Sequence, residues 1–572
     1  MRQTARLADG LVFCLFLGVP LAASPLFWDQ FTTVKWYVLE LVAAVWLLSE
    51  ASLRPSPAVP SFVRRHRLAF AVLGLLVAAS CFRLGAHAAG TPLLDRAAVA
   101  ILALCFFWRF SRGTEVLQAA TIAVGLAALL VDAYGLAQFA GFQPFPFLTA
   151  GDQRSAFFGN VNLTAQFLGF AVVFLLAALS GTAPRLLRVM GETTLALSLA
   201  YLYLLSSRSV GLALLAAIGA WTIVRRVPLG PLARAAVGAA LVAWLLPGAG
   251  SLEAVREHKW LTVAQRLSVW KGTLRMIRDH PLGVGAGNFS DVFLGYGADV
   301  PLLPREDVVF LHPHNEYLRL LAEEGLIVGG LALYLTSRLV RDLRRALDAG
   351  WWRSPSGLVL LGASAFLAVE AFFQFPLSEA FGALTAALLV GLASSSLEPV
   401  RASPSDVPAR VSASVVIPAI LTAAGILIML ARVAASELLF VNRKEDLPAQ
   451  DRACRLNPRN LPACVTAAWL EAGNGQVSQA RQRLVHVLDG APRYFPAIKL
   501  LSEISLSAGD REAGCLYLGA YDALFQGRSS IHHRLQEQGC DPAAVQASLA
   551  RAAWPRGRFP YAAADATLRS DR

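Results

Sequence analysis

The stretch HNEYLRLLAEEGLIVGG, residues 314–330, joins the end of a long polar segment to the start of an apolar one. His314 and Asn315 are followed by nine residues and then by Gly325, after which the chain becomes apolar. Histidine can accept a proton from a hydroxyl group near neutral pH. The stretch therefore predicts a helix that leads back into a membrane, directly after a residue suited to proton transfer.

The composition of the whole chain also predicts a membrane protein. Of its 572 residues, 56% are hydrophobic and 16% are charged, and the mean hydropathy is +0.52. A soluble protein of this size does not need so much apolar surface, so we predict an all-α, polytopic membrane protein with 12 or 13 transmembrane helices. The first segment also fits a signal peptide with Ala22-Ala23 as its cleavage site. The apolar segments lie at 8–27, 33–51, 68–86, 93–108, 116–137, 163–180, 190–205, 209–224, 232–249, 325–337, 356–374, 379–395 and 413–432.

The orientation of these segments follows from the basic residues in the short connections. With the N-terminus inside, twenty arginines fall on the inner side and four on the outer side. The loop 251–324 and the C-terminal domain are then predicted to lie outside the cytoplasm. The net charge of +12 reflects these inner arginines, and no basic helix with interleaved aromatic residues indicates nucleic-acid binding. The four outer arginines are Arg83, Arg96, Arg154 and Arg208.

The chain divides into five predicted regions. The C-terminal region contains a repeat, because NPRNLPAC at 457–464 recurs as APRYFPAI at 491–498. The displacement matches the period of about 34 residues that is typical of tetratricopeptide repeats, which bind partner proteins. A helical plug that caps the membrane domain is the alternative. The regions are an N-terminal transmembrane bundle (1–250), a large periplasmic loop (251–324), C-terminal transmembrane helices (325–432, with a connector at 396–412), a repeat domain (436–550) and a disordered tail (551–572).

The seven cysteines fall into two groups along the chain. Three are in predicted membrane spans, and four are in the C-terminal region. In an oxidising compartment these four could form two disulfides in three possible pairings, or they could remain free thiols. The four are Cys454, Cys464, Cys515 and Cys540.

Two arginines stand near predicted outer membrane edges. Arg208 lies in the short connection SSRS between two apolar segments, where an arginine either snorkels to the interface or faces an anion. Arg154 precedes a polar group at the start of a span, Asn160, Asn162 and Gln166. The alternative there is a helix cap formed by Asn162.

The polar loop begins with a predicted amphipathic helix over residues 262–279. Arg266 lies near its start, and Leu267, Trp270, Leu274 and Ile277 would share a face turned towards the membrane interface. The glycines that follow, in PLGVGAGNF at 281–289, are not a dinucleotide-binding motif, because no strand precedes them. A tight turn is the prediction.

Three functional interpretations fit the residues His312, His314 and Glu316. A metal site is one, but no third strong ligand at a zinc-protease spacing is present. A surface histidine that caps the next helix is another. A general base, or a group that orients the acceptor, is the third, and it suits a lone exposed histidine best. We therefore predict no metal ion and no cofactor.

A lipid-linked pyrophosphate fits these residues as a substrate. It carries several negative charges beside the membrane, where arginines can bind it bidentately and stabilise it as it leaves. A histidine can then deprotonate the incoming sugar hydroxyl. Nucleotide sugars are not available outside the cytoplasm, so a lipid-linked donor is predicted.

Over residues 150–395 the chain resembles the O-antigen ligase and polymerase superfamily of bacterial glycosyltransferases. The shared motifs are HN-x9-G from His314 to Gly325, R-x3-W at Arg266 and Trp270, HPLGVGAGNF at 280–289, and SSRS around Arg208. The resemblance implies an inverting, metal-independent transfer of glycan from undecaprenyl pyrophosphate at the bacterial inner membrane. It implies His314 as catalytic residue, Arg208 and Arg266 as pyrophosphate-binding residues, and Arg154, Asn315, Arg275 and Arg319 as weaker substrate-binding candidates.

The acceptor stays open at this point. The leading prediction is ligation of O-antigen to lipid A–core; polymerisation of a lipid-linked glycan and glycosylation of protein hydroxyls are the alternatives with the same chemistry. The predicted thirteenth span and outer repeat domain depart from the usual ligase pattern. A transporter or flippase with a scaffold domain is the non-enzyme alternative, but it favours charged residues near the middle of the membrane.

Overall fold

The computed structural model describes residues 2–53, 59–82, 90–113, 115–143, 145, 154–181, 184–224, 230–236, 239, 252–296, 310–398, 413–525, 532–551 and 554–555. Within these ranges the chain forms α-helices and two short 3-10 turns, and no β-strand. The predicted all-α class is confirmed. Most of the predicted connector and tail, and part of the polar loop, lie outside the described residues.

Within the described residues, the first half of the chain forms a series of helices. They are α1 (Arg2–Leu21), α2 (Thr32–Leu53), α3 (Ser61–Arg65), α4 (Arg67–Cys81), α5 (Gly90–Phe110), α6 (Glu115–Phe139), α7 (Val161–Leu179), α8 (Arg185–Leu205), α9 (Arg208–Ile223), α10 (Leu252–Asp279), α11 (Phe289–Phe293) and α12 (Glu316–Glu324).

The second half begins with further apolar helices and ends with shorter amphipathic ones. They are α13 (Leu326–Ala346), α14 (Ala349–Trp352), α15 (Pro355–Phe373), α16 (Ala380–Ser396), α17 (Ala413–Asn442), α18 (Leu447–Leu456), α19 (Leu461–Gly473), α20 (Val477–Gly490), α21 (Phe495–Ser507), α22 (Arg511–Leu524), α23 (His532–Glu537) and α24 (Pro542–Arg551).

The apolar helices coincide with the predicted membrane spans. Every predicted span overlaps helical residues, although most of 232–249 lies outside the described residues. Five helical segments are long and apolar enough to cross a membrane, within α2, α6, α7, α15 and α17, and four shorter apolar segments lie within α1, α4, α9 and α16. These helices indicate a multi-pass membrane protein, because a backbone in lipid must satisfy its own hydrogen bonds.

The described helices form two compact units. The first comprises residues 1–72, 94–257 and 331–430. Its core is apolar, with α1 packed on α6 and α9 packed on α15. Phe16 lies at its centre, with ring centroids 6.0–6.2 Å from those of Phe106, Phe174 and Phe381.

The second unit comprises residues 73–93, 258–330 and 431–572. It therefore combines the polar loop with the C-terminal helices. The core of those helices is apolar, and its fully or almost fully buried members include Leu484, Leu501, Tyr517 and Leu524.

Two pairs of C-terminal helices repeat one another. The pairs α19–α20 and α21–α22 have matching lengths. The interval from Leu461 to Phe495, where their first helices begin, equals the interval from Val477 to Arg511, where their second helices begin. The repeat in the sequence therefore corresponds to a repeated helical pair.

All four C-terminal cysteines form disulfides in the second unit. Cys454 pairs with Cys464, which joins α18 to α19, and Cys515 pairs with Cys540. Of the three pairings that the sequence left open, the structure has this one. Cys14, Cys81 and Cys105 remain thiols.

Thiol labelling tests this pairing. Denatured, unreduced protein is expected to take up three maleimide groups, and reduced protein seven, as measured by intact mass. The double variant Cys454→Ser/Cys464→Ser is the control, and it should show three labels before reduction and five after. Seven labels without reduction would contradict both disulfides.

Candidate active site

The HN-x9-G motif encodes one complete helix with its two ends. Asn315 is the N-cap of α12, and its side-chain Oδ1 accepts a hydrogen bond from the backbone N–H of Leu318 at 3.0 Å. Gly325 ends the helix at a φ of +93°, a value that favours glycine. The nine residues between them are the helix itself. The alternative in which His314 caps this helix is wrong, because Asn315 is the cap.

The glycine-rich motif packs directly against the end of this helix. The backbone N–H groups of Val284 and Gly285 donate to the carbonyls of Ala322 and Glu323, both at 2.9 Å. A Cβ atom on Gly325 would collide with the carbonyl group of Leu282, and one on Gly283 with that of Glu323. The predicted tight turn is confirmed, and it joins two motifs that are distant in the sequence.

Replacing Gly325 by alanine is expected to destabilise this crossing. Alanine would be strained at this φ and at the ψ of 170°, a cost of about 1–3 kcal/mol, in addition to the collision with Leu282. The midpoint of thermal unfolding in detergent should fall. Gly330→Ala is the matched control, because a Cβ there meets no atom within 4 Å. Equal unfolding midpoints for the two variants would contradict the close approach.

His314 is held in an unusual backbone conformation. Its φ is +51°, in the left-handed region that non-glycine residues enter rarely. The indole N–H of Trp270 donates to the carbonyl of Pro313 at 2.8 Å, and Asn315 begins α12 on the other side. Strained residues of this kind cluster at functional sites. Both neighbours of His314 are thus anchored, which fixes the backbone that carries the imidazole.

The R-x3-W motif places Arg266 beside this anchor. Residues four apart on a helix lie on the same face, so Arg266 is one turn from Trp270 on α10. Arg266 is half-buried, and so is Arg275 further along the same helix. The motif therefore links an arginine to the segment that carries His314.

The predicted interfacial face of α10 stays a prediction, and the structure adds a second, buried face. Val269, Thr273 and Met276 are fully buried, whereas Leu267 and Leu274 are exposed. The helix packs with its Val269 side because Phe289, Phe293 and Tyr296 form a small core there with it.

His312 differs from His314 in its surroundings. Its pKa is lowered to about 3, first by burial and then by the positive charges of Arg319 and His314. The imidazole is therefore neutral at physiological pH and is a weak base. In the described part of the chain, no group of three His, Cys, Asp or Glu side chains is arranged to hold a metal ion.

Arg319 lies among buried carboxylates. It forms ion pairs with Glu316 and, at 2.8 Å, with Glu323. Burial opposes its charge, but the two glutamates raise its pKa above the usual value. Glu324 accepts a hydrogen bond from the hydroxyl of Ser80, at the end of α4. These contacts favour a structural role for Arg319, which holds α12 together.

The remaining candidates lie in the first unit. Arg208 is exposed and is the first residue of α9, shortly after the end of α8. Arg154 is also exposed, and its guanidinium lies 4.9 Å from the ring centroid of Phe139. The N-cap of α7 is Asn160, whose side chain accepts from the N–H of Asn162 at 2.8 Å, so the predicted cap at Asn162 is wrong.

Sequence reasoning missed the supports of the site. The sequence indicates Trp270 as part of an apolar face and of the R-x3-W motif, but not as the anchor of Pro313, and it does not indicate Ser80. Trp270 had a signal in the R-x3-W spacing, whereas nothing in the sequence links Ser80 to Glu324, which lies 244 residues away.

One family model matches the chain. Residues 193–335 match the model described as O-antigen ligase. The match contains Arg208, Arg266, Arg275, His314, Asn315 and Arg319, but it excludes Arg154 and the C-terminal helices. No curated protein matches the chain. The apolar helices and this match together indicate a multi-pass membrane protein with a role of the glycosyltransferase type in O-antigen or polysaccharide assembly.

Proposed function

We propose that the protein is an inverting, metal-independent glycosyltransferase that transfers a glycan from undecaprenyl pyrophosphate to lipid A–core. The match to O-antigen ligase supports the class of reaction. The observation that carries the proposal is the double anchoring of His314, between Pro313 and Asn315.

His314 is the proposed general base. A base of pKa about 3 such as His312 accepts a proton poorly from a sugar hydroxyl, since catalytic bases work best with a pKa near the ambient pH. His314 is half-buried rather than enclosed, so its imidazole remains accessible to a substrate. Both imidazoles are half-buried, so the choice between the two histidines rests on motif spacing and on the lowered pKa of His312.

Arg266 and Arg208 are the proposed pyrophosphate-binding residues. Arg266 is supported by its place one turn from Trp270. Arg208 begins α9, where the helix dipole opposes a positive side chain but favours a bound anion. The guanidinium of Arg208 at the N-terminus of α9 is therefore best explained by an anion that binds to the guanidinium and to the helix N-terminus together.

The proposed reaction is a single displacement. His314 takes the proton of the acceptor hydroxyl, and the oxygen forms a bond to the anomeric carbon of the donor. The bond between that carbon and the pyrophosphate oxygen breaks, and the pyrophosphate leaves with the electron pair. The arginines stabilise the charge that develops on it.

The compartment is part of the proposal. We place the polar loop and the C-terminal helices in the periplasm of a bacterium, with the protein in the inner membrane. The two disulfides support an oxidising compartment. The matched helical pairs support tetratricopeptide-like repeats that bind a protein partner.

Analysis of surface polysaccharide tests the proposal. A deletion strain would be complemented with the wild-type protein or with His314→Asn, and extracts would be probed for glycan on undecaprenyl pyrophosphate. We expect the deletion and His314→Asn to lose the ladder of lipid A-linked glycan and to accumulate long polymer on the lipid carrier.

Other outcomes would indicate a different acceptor or a different class of protein. A collapse of the ladder to single repeat units would indicate a polymerase. Loss of sugar from protein, with a normal ladder, would indicate protein glycosylation. An unchanged ladder and carrier pool would overturn glycan transfer to lipid A–core and leave the transporter alternative to be tested.

A further inference from the structure

Two arginines occupy equivalent places in the C-terminal helical pairs. Arg459 and Arg493 each follow a proline and precede the first helix of a pair, α19 and α21. The interval between them equals the interval between the two helical pairs. Both side chains lie against the same short segment of the polar loop, residues 286–291.

Arg459 binds the glycine-rich turn. Its Nη2 donates to the carbonyl oxygen of Ala286 at 3.0 Å and to Oδ1 of Asn288 at 3.3 Å. Gly287 has a φ of +72°, and a Cβ atom there would come within 2.7 Å of Nη1 of Arg459. The turn thus leaves space for this guanidinium.

Arg493 binds the helix that follows the turn. Its backbone N–H donates to Oδ1 of Asp291 at 2.8 Å, and its Nη1 lies 3.8 Å from Oδ2 of the same carboxylate. Its Nε donates to the carbonyl of Pro555 at 2.5 Å. Burial raises the pKa of Asp291 to about 6, against the opposing effect of Arg493, so the carboxylate is charged at neutral pH.

An apolar contact reinforces these bonds. Leu294, one residue after α11, is buried in the same core as Leu484, Leu501 and Tyr517 of the C-terminal helices. The contacts of half-buried Arg459 and buried Arg493, together with a shared core, are more than a surface salt bridge supplies. The segment 286–294 is therefore built into the C-terminal domain.

Residues 284–289 are also bonded to α12, the helix that follows His314. Val284 and Gly285 donate to the carbonyls of Ala322 and Glu323 of α12, and the N–H of Phe289 donates to the Glu323 carboxylate at 3.4 Å. Glu323 pairs with Arg319, and Arg319 pairs with Glu316, two residues after His314. A continuous chain of contacts thus runs from the C-terminal helices to the start of α12.

We infer that the C-terminal helical domain is a positioning element of the active site: Arg459 and Arg493 hold residues 286–291, and these hold α12 with His314 at its start. The inference rests on the proposed function for its catalytic consequence. Arg459 and Arg493 are positioning residues, since neither is proposed to touch the substrate. The glycine turn transmits the restraint because its backbone is bonded on both sides.

Hydrogen exchange of the full-length protein tests the coupling without any substrate. In Arg459→Ala, faster exchange is expected in peptides over 281–294 and over 316–324, with helices α19–α22 unchanged. Arg455→Ala is the matched control, because Arg455 lies on α18 with a mostly exposed side chain. Unchanged exchange at 316–324 in Arg459→Ala would overturn the inference.

Steady-state kinetics test the catalytic consequence. Loosening α12 should lower kcat by about tenfold to a hundredfold, the scale of loss for a misplaced catalytic group, with the KM values of donor and acceptor unchanged. Arg459→Lys, which keeps a charged donor, should recover part of kcat. A higher acceptor KM with unchanged kcat would overturn the inference and indicate that the domain recruits the acceptor.

The two tests separate the inference from the proposed function. His314→Asn should abolish transfer but leave exchange over 281–294 at the wild-type rate. If the wild-type protein transfers no glycan, the proposed function fails, while hydrogen exchange still decides whether the domain restrains α12.

Discussion

Replacing His314 is expected to abolish glycan transfer without loss of the protein from the membrane. Removal of a general base costs about a hundredfold to ten-thousandfold in rate. His314→Asn is the sharper variant, because asparagine tolerates the left-handed backbone at this position better than alanine does. The rate of conversion of lipid-linked glycan by purified protein measures the effect, with protein abundance determined by immunoblot.

His312→Gln is the control for this prediction. A neutral amide replaces an imidazole that burial already keeps neutral, so the proton-accepting group should be unaffected. We expect a smaller loss of activity than in His314→Asn, with the shape of the pH–rate profile retained. If His312→Gln abolishes transfer while His314→Asn remains active, the general base has been assigned to the wrong histidine.

Replacing Arg266 should have the second largest effect. Loss of a group that stabilises the leaving pyrophosphate costs about a hundredfold to a thousandfold in kcat. Arg266→Lys should recover only part of the rate, because lysine keeps the charge but lacks the planar pair of donors. The initial transfer rate at saturating donor measures both variants.

Arg278→Ala is the matched control for Arg266. It lies on the same helix, and its side chain is 74% exposed in a surface pair with Asp279. It should transfer glycan at the wild-type rate. Wild-type rates in Arg266→Ala as well would exclude the pyrophosphate-binding role, and a low abundance of that variant alone would point to a role in folding α10.

Much of the fold could be predicted because its signals are local. An apolar segment long enough to span a membrane forms a helix whatever it packs against, since lipid leaves the backbone no other partner. The same holds for Gly325, whose φ requirement ends α12. The buried face of α10 could not be predicted, because Leu267 and Val269 are equally apolar and only the packing against Phe289 and Phe293 shows that Val269 is buried.

The candidate site divides in the same way. Motif spacing pointed to His314, Asn315 and Arg266. The structure explains the nine residues between Asn315 and Gly325 as the length of α12, and the spacing of Arg266 and Trp270 as one turn of α10. The pairing of Arg319 with two glutamates on its own helix could be predicted, because Glu316 lies three residues before it and Glu323 four residues after it. The neutral state of His312 could not be predicted from the sequence, because it depends on burial, and burial depends on the whole fold.

The sequence by itself determined the class of this protein, its apolar helices, and the regular interval between the C-terminal helical pairs. The tertiary structure alone decided which cysteines pair, that burial lowers the pKa of His312, and that Arg459 and Arg493 bind residues 286–291. The division has a physical reason. Helix formation and capping depend on residues within a few positions of one another, whereas burial and pairing depend on groups brought together from distant parts of the chain.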